Sequence, residues 1–161
     1  MDFQRSGQVC NAGNDDLLSG NSERNSLAGG SGSDQLRGAG GHDVLIGGPG
    51  RNFFRCDTKI AGNIDGILDF SSTDDTIRLD NAIFKSLNKN GALRAGNYCA
   101  GANATARDGN DFILYNTANG ALAYDADGNG PVKAIRFATL WDGPGSHPLA
   151  SEIGPLDFVI V

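Results

Sequence analysis

Written in nines from Asn11, the first third of the chain falls into columns: NAGNDDLLS, GNSERNSLA, GGSGSDQLR, GAGGHDVLI and GGPGRNFFR. The eighth column is apolar in every row (Leu18, Leu27, Leu36, Leu45, Phe54). The sixth is Asp or Asn throughout (Asp16, Asn25, Asp34, Asp43, Asn52), and the first is Gly20, Gly29, Gly38 and Gly47 after a starting Asn11. Each row reads as a six-residue Gly-rich turn ending in the column-six residue, followed by a three-residue strand with one inward side chain. Two such rows make one coil of a solenoid, with column eight as its core and column six facing the loops. The stretch before Asn11 is a degenerate or truncated row, because Val9 keeps the apolar column while Gly7 stands where the acid belongs.

From Cys56 the period of nine disappears, which predicts a boundary near 55–60: an N-terminal segment 1–10, a solenoid 11–55 and a second unit 56–161. In that unit GNIDGILDF and DDTIRLD alternate as strands do, while NAIFKSL, with Asn81 as N-cap and Ile83 and Leu87 four apart, predicts a short helix. FILYN, ALAYD and VKAIRFATL follow. Asn119-Gly120 closes a hairpin between the first two and ADGNGP separates the last two, so an antiparallel three-strand meander is expected, with Phe112, Leu114, Leu122, Tyr124, Ile135 and Phe137 in its core.

Composition narrows the ligand. The chain has 161 residues with 24 glycines, a net charge of −6 and a pI near 4.7. That balance excludes a nucleic-acid or anionic-membrane partner that would need a basic patch, predicts no basic groove for a polyuronate, and makes cations the natural ligands. No apolar run is long enough to span a bilayer and the N-terminus lacks a signal-peptide pattern. Cys10, Cys56 and Cys99 are not spaced as a zinc or redox pair, and at most one disulfide can form.

Column six points to a metal. Asp16 and Asp34 are one coil apart, so their carboxylates are expected to stack at about the ~4.8 Å strand spacing, near twice a calcium–oxygen distance of roughly 2.3–2.6 Å. Rows alternate sides: Asp16, Asp34 and Asn52 share one edge, Asn25 and Asp43 the other. Asp16/Asp34 is the expected strong site; Asp34/Asn52 and Asn25/Asp43 replace one carboxylate by an amide and should be weaker. The second row is the most decayed, and Arg24 is expected to compete with a cation there.

GGSGSDQLR resembles the GGxGxDxUx nonapeptide of RTX (hemolysin-type) calcium-binding proteins. The resemblance implies an all-β chain: a right-handed parallel β-roll followed by a mainly antiparallel β cap with one short helix. It implies Ca²⁺ held between loops of successive coils by Asp16, Asp34, Asn52, Asn25 and Asp43, with backbone carbonyls of the loops around Gly29, Gly38 and Gly47. Residues 56–161 resemble the C-terminal flank of RTX proteins exported by type I secretion, through NIDGILDFSSTDDTIRLDNAIF, YDADGNG and LDFVIV. Asp157 before Phe158, Val159, Ile160 and Val161 is similar to an export signal of that family. The implied partner is an ABC-type exporter and the implied location extracellular, with folding on extracellular calcium. The alternative is the targeting tail of a secreted enzyme, a protease, lipase or epimerase, whose catalytic domain would lie upstream.

No catalytic centre is expected. His42 and His147 stand in different segments without HExxH, and no G-x-S-x-G elbow or P-loop occurs. Asp125, Asp127, Asn129 and Gly130 match half of an EF-hand loop, but Arg136 stands where the bidentate Glu is needed, which leaves a solvated turn. Asp74 and Asp75 read as a turn before a strand, and Trp141 as a loop anchor.

Overall fold

Short strands separated by tight loops build the whole molecule, and the reason is visible in the rows: Gly-rich turns cannot sustain a helix, while one apolar side chain per row suffices to stitch a strand to the core. The computed structural model describes residues 7–10, 13–141 and 153–161. Asn11 and His147 lie outside the described residues. Fourteen strands are described: β1 (Gln8–Cys10), β2 (Leu17–Ser19), β3 (Ser26–Ala28), β4 (Gln35–Arg37), β5 (Val44–Ile46), β6 (Phe53–Cys56), β7 (Asp65–Ile67), β8 (Thr76–Leu79), β9 (Gly91–Ala92), β10 (Tyr98–Gly101), β11 (Ile113–Asn116), β12 (Ala121–Tyr124), β13 (Ile135–Leu140) and β14 (Phe158–Ile160).

Consecutive rows fall on opposite walls. One sheet has the order β1-β3-β5-β7-β13-β12-β11-β10, the other β2-β4-β6-β8-β14-β9. The rungs of the roll are parallel and in the register that the nonapeptide dictates: Val9, Leu27, Leu45 and Ile67 stack on one wall, and Leu18, Leu36, Phe54 and Ile77 on the other. Every column-eight residue from Leu18 to Phe54 is buried to 2% exposure or less. This is an all-β parallel β-roll with a β cap.

The period of nine stops near residue 55, but the sheets do not. β7 pairs with β5 and β8 with β6, so Ile67 and Ile77 continue the two core columns, and the roll runs two rungs past the repeats. On one wall it hands over to the cap through β13, parallel to β7; on the other through β14, parallel to β8 and antiparallel to β9. The meander is as expected, with β11, β12 and β13 antiparallel in sequence and Gly120 at positive φ in the hairpin turn.

Two details of the cap differ from the pattern reading. Segment 81–87 makes one helical turn rather than a sustained helix: Phe84 N donates to Asp80 O, and Asp80, not Asn81, caps the turn by accepting from Ala82 N. The turn ends because Phe84 drops into the core edge-on to Tyr124 and Phe137, each at 5.1 Å. Ile135 is 40% exposed, because β13 slips by one residue against β12 between Leu122 and Ala123, and the bulge breaks the alternation that placed Ile135 inward.

Candidate metal centre

The loops are held coil to coil by the column-six side chains. Asp34 Oδ1 accepts from Asp16 N at 2.8 Å, Asp43 Oδ1 from Asn25 N at 2.8 Å and Asn52 Oδ1 from Asp34 N at 3.1 Å, each across 18 residues. In both carboxylates one oxygen therefore holds the preceding coil and the other is left over. Asp34 Oδ2, Asp43 Oδ2 and Asp16 Oδ2 are buried with no hydrogen-bond partner, although Asp34 is fully buried and Asp43 only 2% exposed. A buried carboxylate oxygen without a donor is costly, by several kcal/mol when charged. Burial accordingly pushes the Asp34 and Asp43 carboxyls above the ordinary range.

Glycine in column one makes room for those oxygens. A Cβ on Gly29 would lie 2.3 Å from Asp34 Oδ2 and 2.8 Å from the Gly47 carbonyl oxygen, so a carboxylate and a backbone carbonyl converge there. Column four needs glycine for another reason: Gly50, at φ +131°, brings its Cα under the Gly32 carbonyl of the preceding coil, 1.8 Å from where a Cβ would be.

Not every column-six residue has an oxygen to spare. Asn25 Oδ1 accepts from Asn21 N at 2.7 Å. Asn52 spends its oxygen on Asp34 N and its amide nitrogen on the Gly48 and Gly50 carbonyls, at 2.9 and 3.4 Å. Arg24, in the decayed second row, is exposed.

Three acids that hold neighbouring coils together escaped the pattern of nines. Asp65 Oδ1 accepts from Asp43 N at 3.1 Å across 22 residues, and Asp75 Oδ1 accepts from Asn52 N at 2.9 Å across 23, so both stand in column six of longer coils. Asp69 takes Gly47 N and Gly48 N on its two oxygens, at 2.9 and 2.7 Å. Asp75 is thus a buried rung of the ladder, its second oxygen accepting from Ser71 N, while its neighbour Asp74 is the exposed turn residue. The available signal was Asp-x-Ile, in DGI and DTI, which repeats the Asp-x-Leu of GGSGSDQLR.

Burial, with the Asp43 carboxyl beside it, pushes the Asp65 carboxyl up to about 7, against the pull of Asp43 N and His42. Among the described residues no three His, Cys, Asp or Glu side chains converge as a metal site. An ion here needs carbonyl oxygens as well, and an all-oxygen set suits calcium rather than zinc. The orphaned carboxylate oxygens beside carbonyls, in space only glycine leaves open, fit Ca²⁺; bound there, it would supply the positive charge these oxygens lack.

The remaining candidates are placed as follows. Cys10, Cys56 and Cys99 are free thiols. His42 accepts from Ile64 N at 3.2 Å. Trp141 exchanges backbone bonds with Ile67 and Phe70. Asp125 in the half EF-hand is buried rather than solvated, because Asn129 N ties this turn to the Asp108 carbonyl at 3.1 Å. A basic stripe does exist on the outer face of the second sheet, contrary to the reading of net charge: Arg37, Arg55 and Arg78 stack in successive rungs beside Phe53. Its charge is largely spent within the protein, since Arg37 and Arg55 both reach Asp57 at 2.8 Å, Arg55 reaches Asp80 at 3.1 Å, and Arg78 lies 3.8 Å over Phe53.

The fold and this site define a parallel β-roll whose repeats carry acids stacked for a cation. Residues 19–54 match the RTX calcium-binding nonapeptide repeat, in four copies. Among solved structures the chain is similar to the solution structure of the AlgE6R3 subunit from the Azotobacter vinelandii mannuronan C5-epimerase, with 20% identity, 96% of each chain covered and a TM-score of 0.33. A comparison with curated proteins gave no match. No helix among the described residues is long and apolar enough to cross a membrane.

Proposed function

We propose that this chain is a calcium-binding module, without catalytic activity of its own, that leaves the cell through a type I exporter and folds on extracellular Ca²⁺. One observation carries the calcium reading: Asp16, Asp34 and Asp43 each bury a carboxylate oxygen that no donor satisfies. Negative charge without a partner opposes folding until a cation arrives. At calcium tenfold above Kd each site adds about 1.4 kcal/mol, so a few sites rival the ~5 kcal/mol that stabilises a marginal small domain. Calcium-poor cytosol would keep the chain loose and exportable. Titrating Ca²⁺ into chelator-treated protein should raise the β signal in circular dichroism and the thermal midpoint. Mg²⁺, which demands tight octahedral geometry and keeps its waters, should do far less. Identical spectra in chelator and in calcium would contradict the reading.

Export rests on the resemblance of residues 56–161 and on the occurrence of such repeats in secreted proteins. Within the terminal LDFVIV, Phe158–Ile160 form β14, with Phe158 and Ile160 buried, which is compatible with a signal read while the chain is unfolded. Deleting residues 157–161 should retain the protein inside cells equipped with a compatible exporter. Undiminished secretion of the truncated chain would refute the address while leaving the calcium reading intact.

A further inference from the structure

We propose that Asp65, outside the nonapeptide repeats, is a calcium ligand that pairs with Asp43 to form a two-carboxylate site joining the last repeat of the first wall to the C-terminal segment. This rests on the reading of the roll as a calcium binder. A Cβ on Gly38 would lie 2.4 Å from Asp43 Oδ2 and 3.0 Å from Asp65 Oδ2, so oxygens from two different acids converge on one point that only glycine leaves open. Both being that close to one point, a single ion at the usual calcium–oxygen distance of roughly 2.3–2.6 Å spans the pair. Asp43 is 2% exposed and its Oδ2 has no partner. Neither acid makes an ion pair with Lys or Arg among the described residues.

The loop that delivers Asp65 is four residues longer than a regular coil and is pinned by its own contacts. Asn63 Oδ1 accepts from Gly41 N at 2.9 Å, Ile64 N donates to His42 Nδ1, and Asp65 Oδ1 accepts from Asp43 N. The extra length is absorbed before Asp65, so the acid arrives in the same ladder position as a repeat Asp. Across the edge this reverses the ranking that rows of nine suggest. Asn25, the repeat partner of Asp43, has its oxygen occupied by Asn21 N, whereas Asp65 offers a second carboxyl group. Since β7 begins at Asp65 and pairs with β13, an ion here would tie the roll to the cap.

The test is calorimetric titration of Ca²⁺ into the chelator-treated full chain at neutral pH, beside Asp65→Asn and Gly38→Ala, with circular dichroism in saturating calcium to confirm that each variant folds. Asp65→Asn should weaken one class of sites by at least ~tenfold, or remove it, while the rest keep their affinity. Gly38→Ala should remove the same class by filling its space. A chain that binds no calcium at all overturns the calcium reading itself. A wild type that binds calcium while folded Asp65→Asn binds with unchanged number and affinity overturns only this inference.

Discussion

The roll and the cap bury acids in opposite ways. In the cap Asp111 accepts from Arg107 N and Asp157 from Gly154 N, and the core is an aromatic cluster of Phe84, Tyr124 and Phe137. In the repeats Asp16, Asp34 and Asp43 each keep one buried oxygen empty-handed, and the core is a single file of one apolar side chain per row on each wall. Beyond Asp65 the one such oxygen among the described residues is Asp127 Oδ1. On the proposed reading, the roll, with three unsatisfied acids over a thin core, depends on a ligand, and the cap, with a broader apolar core and one such oxygen, depends on it far less.

The largest expected effect is therefore regional. On adding chelator, amides of β2 to β6 should lose hydrogen-exchange protection while those of β11 and β12 keep theirs. Uniform loss across both regions would erase the contrast. Next in size is Gly50→Ala, which forces a side chain at φ +131° against the Gly32 carbonyl; it should cost about 1–3 kcal/mol from backbone strain, with the clash added, in calcium and in chelator alike. Gly62→Ala, also at positive φ but with nothing within 4 Å, should cost less, and thermal unfolding separates the two.

Asp34→Asn should change sign with the metal. It keeps an oxygen for Asp16 N, so in chelator it relieves a buried unpaired charge and raises the thermal midpoint, whereas in calcium it lowers the midpoint by removing a charged ligand. Stabilisation or destabilisation in both conditions would mean that Oδ2 is not a ligand.

The smallest effect is on pH. Asp65 has a folded-state pKa near 7 against an ordinary 3.8, so the folded chain holds a proton the unfolded chain releases. That contribution is complete below about 3.8 and is lost as pH rises through 7; Asp34, Asp43 and Asp75 are shifted the same way. Calcium-free protein should lose stability between pH 5 and 8, as thermal melts in chelator would read, while the stabilisation added by calcium grows over the same range.

How legible this was from sequence also divides by region. The rows disclosed the roll because its contacts are local in a fixed period: Leu18 stacks on Leu36 and Leu27 on Leu45, one coil away, and the same spacing named Asp34 and Asp43. Asp65 and Asp75 were hidden because coils of 22 and 23 residues break the period while keeping the ladder. The insertion of β14 between β8 and β9 joins residues roughly seventy to eighty apart, and no local pattern encodes such partners. The bulge beside Ile135 is a register shift between β12 and β13, which the alternation within β13 alone does not disclose.

On the proposed reading the unpartnered oxygens of Asp16, Asp34 and Asp43 hold calcium. Isothermal calorimetry of Ca²⁺ binding to the chelator-treated wild type and to the triple variant Asp16→Asn, Asp34→Asn, Asp43→Asn tests it most directly. The wild type should bind saturably and the triple variant at least ~100-fold more weakly, since ligand charge sets affinity. Equal heats and equal affinity for the two proteins would contradict it.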